Sequence, residues 1–389
     1  MLVELPNSRA GKWETRALDG GNVGCFVPAP LPLNPPLDLS QHGDLLEKAN
    51  LALGRLDGIT KLLPDPTLFI YNYVRKEAVL SSQIEGTQSS LSDLLLFEHD
   101  QVAGVPLDDV REVSNYVRAM EHGLARLRNE AGLPLSSRLL KEVHERLLAD
   151  SRGGDKAPGT FRRSFVWLGS QRATRAVFVP PPAEYIDALM TNLERFLHDQ
   201  PKRTPTLIKA ALAHAQFETI HPFLDGNGRV GRLLITLLLC AEGVLAEPML
   251  YLSLYFKTNR QAYYQALQRV RSHGDWEGWL LFFLQGVFET AQQAFELAQQ
   301  LTDMFERDRN RVQVLGARGG TMLQVLRFAR EQVIFAAPEA ANALAISVPS
   351  IRKAITSLEE FGIIVEITNK KKNRLWCYQE YVQRLNEGT

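Results

Sequence analysis

Twelve residues near the middle of the chain constrain its fold more than any other stretch: His221-Pro222-Phe223-Leu224-Asp225-Gly226-Asn227-Gly228-Arg229-Val230-Gly231-Arg232. They set a glycine-rich turn directly before a helix-forming run, Leu233 to Cys240. Gly226 and Gly228 permit positive φ, so several N–H groups can point into one concavity. That concavity opens onto a helix start, where unpaired N–H groups and the dipole favour an anion. Arg229 and Arg232, three apart on the first turn, project to neighbouring positions. Cations there are costly against the dipole unless an anion offsets them, and the guanidinium fork suits phosphate oxygens. Asn227 adds an amide donor. Asp225 is the one acid of the loop, and a single carboxylate together with substrate phosphates is a common way to hold magnesium. His221, with a reference pKa near ~6.5, suits removal of a proton from a hydroxyl at neutral pH. Asp-Gly and Asn-Gly also mark ordinary turns. The coincidence of all these types at this spacing points instead to a site that holds a polyphosphate and moves one of its pieces.

The stretch resembles the signature of the Fic (Fido) family, His-x-Phe-x-Asp/Glu-Gly-Asn-Gly-Arg-x-x-Arg, and matches it at every fixed position. The resemblance implies a protein adenylyltransferase that moves AMP from ATP to a Ser, Thr or Tyr hydroxyl and releases pyrophosphate. The related Doc branch, which phosphorylates, departs in the glycine-rich part that this chain keeps. By this resemblance His221 is the general base and Phe223 anchors the loop. Asp225 binds Mg2+ across the α- and β-phosphates. Asn227 and the amides of Gly226 to Gly228, in a nucleotide-binding stretch that includes Gly231, stabilise phosphate charge. Arg229 contacts the β-phosphate and Arg232 the γ-phosphate. Such a division of labour fits phosphoryl-type transfer, which depends on positioning and charge neutralisation. Tyr263 and Tyr264 resemble tyrosines that line an adenine pocket in relatives, and core packing explains them equally well.

A second motif, Ser81-Ser82-Gln83-Ile84-Glu85-Gly86, closes a helix that begins near Leu68, with Gly86 as its C-terminal cap. Ser81 and Glu85 share a face. Alone this is a common helix end with an exposed glutamate. Beside the first motif it resembles the family's inhibitory Ser/Thr-x-x-x-Glu-Gly/Asn, in the class that carries its inhibitor upstream in the same chain. The resemblance implies that Glu85 pairs with Arg232 and denies it to the γ-phosphate. It also leaves open a bifunctional enzyme, in which Glu85 orients a water to remove AMP.

Lysine plus arginine balances aspartate plus glutamate at 44 each, so net charge gives no hint of nucleic acid or an acidic substrate. Cys25, Cys240 and Cys377 are widely spaced and fit no metal pattern, which points to a reducing, cytoplasmic setting. The first residues lack the apolar stretch of a signal peptide, and the run Leu233–Ala241 is too short to span a bilayer. No Gly-x-x-x-x-Gly-Lys-Ser/Thr is present, so the nucleotide site is not of that kind. Strands and helices do not alternate, which excludes a doubly wound sheet.

The expected fold is mainly α: a Fic/Fido helical core with a β-hairpin flap, plus a C-terminal winged helix. Residues 1–105 form an N-terminal arm and a helical region carrying the inhibitory motif, 106–306 the catalytic core and 316–389 the winged-helix-like domain. Pro and Gly make residues 1–40 read as an extended surface arm. Apolar spacing predicts helices over 44–58, 91–98, 108–130, 136–149, 183–199, 206–220, 229–242, 258–271 and 276–306. His214, seven before His221, reads as a packing histidine. Residues 159–182 carry strand-type residues ended by Pro180-Pro181-Pro182 and read as a hairpin. In the family the matching segment, here Ala176, Val177, Phe178 and Val179, is a flap that docks the target peptide by adding a strand. Toward the C-terminus, helices over 323–332, 338–344 and 347–361 precede alternating Ile363-Val365-Ile367, a basic turn Lys370–Arg374 and Leu375–Tyr378. Winged helices often bind DNA. Arg352 and Lys353 permit it, while Glu359, Glu360 and Glu366 oppose it. The partners in view are thus a target protein, the chain itself as substrate, a second copy as homodimer, and DNA. The competing class is a DNA-binding regulator whose core senses nucleotide, for which a positioned base such as His221 has no use.

Overall fold

The computed structural model describes residues 9–387 except 19, 63–65, 99–105, 130–131, 150–152, 316–318, 369 and 371–372. The chain begins with a hairpin, β1 (Gly11–Leu18) and β2 (Gly21–Pro28), paired antiparallel from Gly11↔Pro28 to Leu18↔Gly21. Helices α1 (Gly43–Leu62), α2 (Pro66–Ile84), α3 (Leu91–Glu98), α4 (Leu107–Arg128) and α5 (Ser137–Leu147) follow. Then come α6 (Ile186–Leu197), α7 (Thr206–Ile220), α8 (Asn227–Ala241), α9 (Ser253–Thr258), α10 (Arg260–His273) and the 38-residue α11 (Trp276–Gln313). The C-terminal part runs α12 (Gly320–Gln332), β3 (Ile334–Ala336), α13 (Ala337–Leu344), α14 (Val348–Glu360), β4 (Ile364–Glu366), β5 (Leu375–Tyr378) and α15 (Gln379–Asn386).

α7 is the hub. Every residue from Leu207 to Ile220 is buried, the mark of a helix packed on all sides. Several of its polar members have partners within the fold. Lys209 meets Asp199 at 2.9 Å and Glu242 at 2.7 Å, Gln216 donates to the Ala29 carbonyl, and Thr219 to that of Ala215. α6, α8 and α11 pack against it, and α4 with α5 closes the far side of α8. One continuous apolar core reaches from Leu31 to Leu385. Among the described residues no helix is long and apolar enough to cross a membrane.

Two expectations change. Residues 11–28, read as an extended arm, form a hairpin whose second strand is buried through Cys25, Phe26 and Val27. The turn glycine Gly20, at φ 74°, and this apolar run outweigh the Gly/Pro content; residues 29–40 stay irregular as expected. Conversely, the hairpin expected over 159–182 shrinks to one antiparallel bridge, Leu168↔Phe178. A 3₁₀ turn, Ala173–Arg175, stands in the intervening loop, and the Phe26 N–H donates to the Val179 carbonyl, so Val179 bonds to β2. Sequence periodicity also missed α9, β3 and α15.

The C-terminal part has the order helix, strand, helix, helix, strand, strand, with an antiparallel sheet β3-β5-β4. The tip expected at Lys371-Lys372, the boundary at Gly316 and the turn at Ser151-Arg152 lie outside the described residues. α15 folds back onto α2 and α3: Asn72 donates to the Tyr381 hydroxyl at 2.7 Å and Asn386 to Ser92 at 3.1 Å.

Candidate active site

The chain between α7 and α8 is built to hold its shape. His221 ends α7 in the left-handed region (φ 51°, ψ 61°), a conformation costing a non-glycine residue about 1–2 kcal/mol. Arg162, 2% exposed, stabilises that turn. Its guanidinium donates to the carbonyls of His221 (2.8 Å), Ile220 (3.3 Å), Pro181 (2.7 Å) and Ser164 (3.0 Å). Its own N–H donates to Pro222 O. A cation on the last carbonyls of a helix also complements the dipole. Phe223 is fully buried and stacks on His144, ring centroids 3.8 Å apart and nearly parallel. His144 accepts from the Gly159 N–H at Nδ1 and therefore donates from Nε2 to the Asp225 carbonyl, 3.0 Å away. Burial pushes its pKa down to about 4, so the ring is neutral in this role.

Asn227 departs from its expected use. Its side chain is spent within the loop, accepting from the Phe223 N–H at 2.8 Å and donating to Phe223 O at 2.9 Å. The anion cradle is consequently main-chain, the unpaired N–H groups at the start of α8. Gly226 is needed for its φ of 74°, and its N–H donates to Asp225 Oδ1 at 2.6 Å. Gly228 is needed for space: a Cβ there would lie 2.2 Å from Glu85 Oε1. Gly231 is needed for space as well, since its Cβ would meet Glu218 Oε1 at 2.4 Å. A carboxylate thus already lies against the cradle, where a phosphate oxygen would be drawn.

That carboxylate belongs to the second motif. Arg232, 2% exposed, donates from Nη2 to Glu85 Oε1 at 2.7 Å and to Ser81 O at 2.9 Å, and from Nε to Ser81 Oγ at 2.8 Å. Glu85 caps the pair from the solvent side, its side chain 37% exposed. Burial raises the Glu85 carboxyl, but the Arg232 charge and hydrogen bond outweigh it and hold the group below the ordinary range. Gly86, at φ 105°, turns the chain away, as a cap should.

Arg229 is buried and paired with Glu112 of α4 at 3.1 Å, with Asp225 at 3.9 Å. Asp225 is half exposed, and its Oδ2 makes no hydrogen bond among the described residues. No three of His, Cys, Asp and Glu gather into a metal cluster among them. A half-exposed carboxylate beside a phosphate cradle does fit magnesium, which takes few protein ligands and keeps its waters. His221 is held neutral: burial first, then Arg162 and Arg271, pushes its pKa down to about 3. His221, Asp225, the residues from Gly226 to Arg229, Glu85 and Leu168 line one cavity of about 410 Å³.

The tyrosine pair divides. Tyr263 is core: its ring stacks on Phe256 at 4.6 Å and its hydroxyl meets Nε2 of His214, the packing histidine. Tyr264 is exposed. In the flap segment Phe178 and Val179 are buried, Ala176 is partly covered, and Val177 is exposed beside Leu168 at the cavity rim. Arg162, His144, Glu112 and Glu218 carried no local signal; they reach the site through tertiary contacts alone.

The family model described as Fic/DOC family N-terminal matches residues 43–125, and that described as Fic/DOC family matches 134–239. The protein adenylyltransferase Fic of Aedes aegypti is 33% identical over 197 residues, 49% of this chain and 36% of the relative. Its Drosophila melanogaster counterpart is 32% identical over the same length. The match therefore covers about a third of those relatives. Among solved structures, a Fic family protein from Desulfovibrio desulfuricans superimposes with TM-score 0.58 at 20% identity, covering 88% of this chain and 97% of that one. Fic-1 from C. elegans does so with TM-score 0.51 at 20% identity, covering 66% and 73%. At those identities the likeness speaks for the fold.

Proposed function

Since the chain belongs to the Fic/DOC family, we propose that it is a protein adenylyltransferase held in an autoinhibited state by its own α2. The observation that carries this reading is the shared cavity, lined together by a neutral imidazole, a phosphate cradle and the half-exposed Asp225 carboxylate. In the reaction a Ser, Thr or Tyr hydroxyl oxygen of a target protein bonds to the α-phosphorus of ATP. Its proton passes to His221, the bond from the α-phosphorus to the bridging oxygen breaks, and pyrophosphate leaves. The α8 N-terminus neutralises phosphate charge, Arg229 lies toward the β-phosphate and Arg232 toward the γ-phosphate. Asp225 would hold Mg2+ with phosphate oxygens, and the metal would supply charge neutralisation. Val177, exposed at the rim, is the flap residue best placed to meet a target strand. Tyr264, of the two tyrosines, is the candidate to border the adenine.

Inhibition follows from double occupancy. Glu85 takes the Arg232 donor that the γ-phosphate needs and fills the space above Gly228. The bifunctional reading, removal of AMP by a water that Glu85 orients, draws support from Glu85 lining the same cavity as His221 while ionised. The DNA reading draws support from the winged-helix order of the C-terminal part and the exposed Arg352 and Lys353 of α14. A homodimer, a cytoplasmic setting and the three-domain division at 105/106 and 306/316 remain part of this proposal. Incubation with ATP labelled in the α-phosphate and magnesium tests its centre: label on protein that disappears in His221→Ala supports it, and label that persists overturns it.

A further inference from the structure

Two buried guanidiniums cross between the flap segment and the end of α7. Arg162 joins Pro181 to Ile220 and His221. Arg271 of α10, 8% exposed, meets the segment at Phe178. It donates from Nη2 to the Glu218 carbonyl at 3.2 Å and from Nε to the Thr219 hydroxyl at 3.3 Å. Its guanidinium carbon stands 4.0 Å from the centroid of the Phe178 ring. Phe178, 2% exposed, also packs with Ala10, with Phe26 of β2 and with Leu168. Burial lowers the Arg271 pKa to about 10, and the Glu218 carboxyl offsets part of that, so the group is a cation at neutral pH. Capping the last carbonyls of a helix is a common use of arginine. It does not account for the ring. A desolvated cation on an aromatic face resists displacement of either partner, and Phe178 adjoins Val177, the exposed residue at the cavity rim. Among the described residues no backbone hydrogen bond runs from 176–181 to α7; the segment bonds to Leu168 and to β2. Its distance from His221 is therefore set by side-chain contacts such as these two.

We propose that Arg271 is a positioning residue for the protein substrate: it holds Phe178, and with it Val177, in register with the last turn of α7, so that a hydroxyl on a strand docked at the flap arrives at His221. The inference rests on the reading of Ala176 to Val179 as the docking flap. A misplacement of about 1 Å between reacting groups can cost about two orders of magnitude in rate, so a register fixed from outside the chemistry matters. Arg271 is not among the residues lining the cavity of about 410 Å³, and its loss should spare the nucleotide.

The test uses the full chain with Glu85→Gly, ATP and magnesium. The acceptors are the peptide acetyl-Val-Thr-Val-Thr-Val-amide and, separately, a His221→Ala copy of the chain. ATP affinity is read by calorimetry, and amide exchange of residues 165–179 by mass spectrometry. Arg271→Met and Phe178→Leu should each raise KM for the acceptor about tenfold, with ATP affinity within about twofold. The double variant should be no worse than either alone, since both remove one interaction. Arg271→Lys keeps a cation for the ring and should recover part of the loss. Exchange over 165–179 should quicken at least about threefold in Arg271→Met. An unchanged KM, or additive effects in the double variant, refutes the substrate role and leaves Arg271 a helix cap. Unchanged exchange refutes the hold on the flap. Should Glu85→Gly modify neither acceptor, the transferase reading fails, while exchange still decides the hold.

Discussion

Removing the Glu85 carboxylate should release a measurable and bounded amount of activity. Its bond to Arg232 is charge-assisted at 2.7 Å, a class worth about 1.5–3 kcal/mol. The side chain is 37% exposed, so solvent screening keeps the figure in the lower half, about 1.5–2 kcal/mol. At about 1.4 kcal/mol per tenfold, Glu85→Gly should raise the initial rate of AMP transfer about ten- to thirtyfold. Glu85→Gln keeps a neutral bond worth about 1 kcal/mol and should fall near the middle of that range on a logarithmic scale. The glutamine separates two causes. If bulk above Gly228 is the obstacle, Glu85→Gln behaves as wild type; if charge is, it is intermediate. The assay is labelled ATP transfer at saturating magnesium, with ATP affinity and thermal unfolding recorded for each variant. A folded Glu85→Gly that binds ATP and transfers no faster than wild type refutes the reasoning.

Three further outcomes follow from the site. His221 is held near 3, so kcat/KM should show no inflection around ~6.5; a limb near 7, where burial puts Glu218, should disappear in Glu218→Gln. His144 is depressed from ~6.5 unfolded to about 4 folded, so its contribution of about 3 kcal/mol is complete above the unfolded value and lost as pH falls toward 4; urea unfolding at pH 7 and 4.5 should show His144→Phe losing far less stability on acidification than wild type, and equal losses would refute this. Arg162→Lys cannot keep four carbonyls at once and should lower kcat at least about tenfold with little change in ATP affinity; unchanged kcat would show that the His221 turn does not need it.

The extents of α3, α7 and β5 were legible because apolar period and flanking breakers agree there. The His221–Arg232 stretch was legible because its geometry is local: positive φ, a helix start and neighbouring side chains. What escaped depends on contacts far along the chain. Arg162 and Arg163 are adjacent and chemically alike, yet the first is buried among carbonyls and the second is on the surface against Asp187. Tyr263 and Tyr264 differ in the same way, because successive helical positions are turned by about 100° and only packing decides which faces inward. Asn227 was assigned to phosphate by residue type, whereas the loop needed its amide to close on Phe223. The β1–β2 hairpin was hidden by glycines and prolines that mark its turn and its end rather than disorder.

Glu85 is not the sole hold of α2 on Arg232. Among the described residues Arg232 commits Nε and Nη2 to Ser81 as well as to Glu85, which leaves Nη1 alone for a ligand. A two-point grip on phosphate needs Nη1 together with Nη2. Rotating Glu85 into solvent frees one N–H of Nη2 for that grip and leaves the other on the Ser81 carbonyl, so the last turn of α2 still holds the guanidinium. That turn is anchored by Ile84, fully buried, and the helix is fastened farther back by Asn72 and Lys76 to the C-terminal helix. Ser81→Ala removes the Nε bond and loosens this hold, and should raise transfer about two- to fivefold, adding to the effect of Glu85→Gly. If Ser81→Ala instead lowers transfer in the Glu85→Gly background, α2 stays in place during the reaction and Ser81 serves to aim Arg232 at the nucleotide.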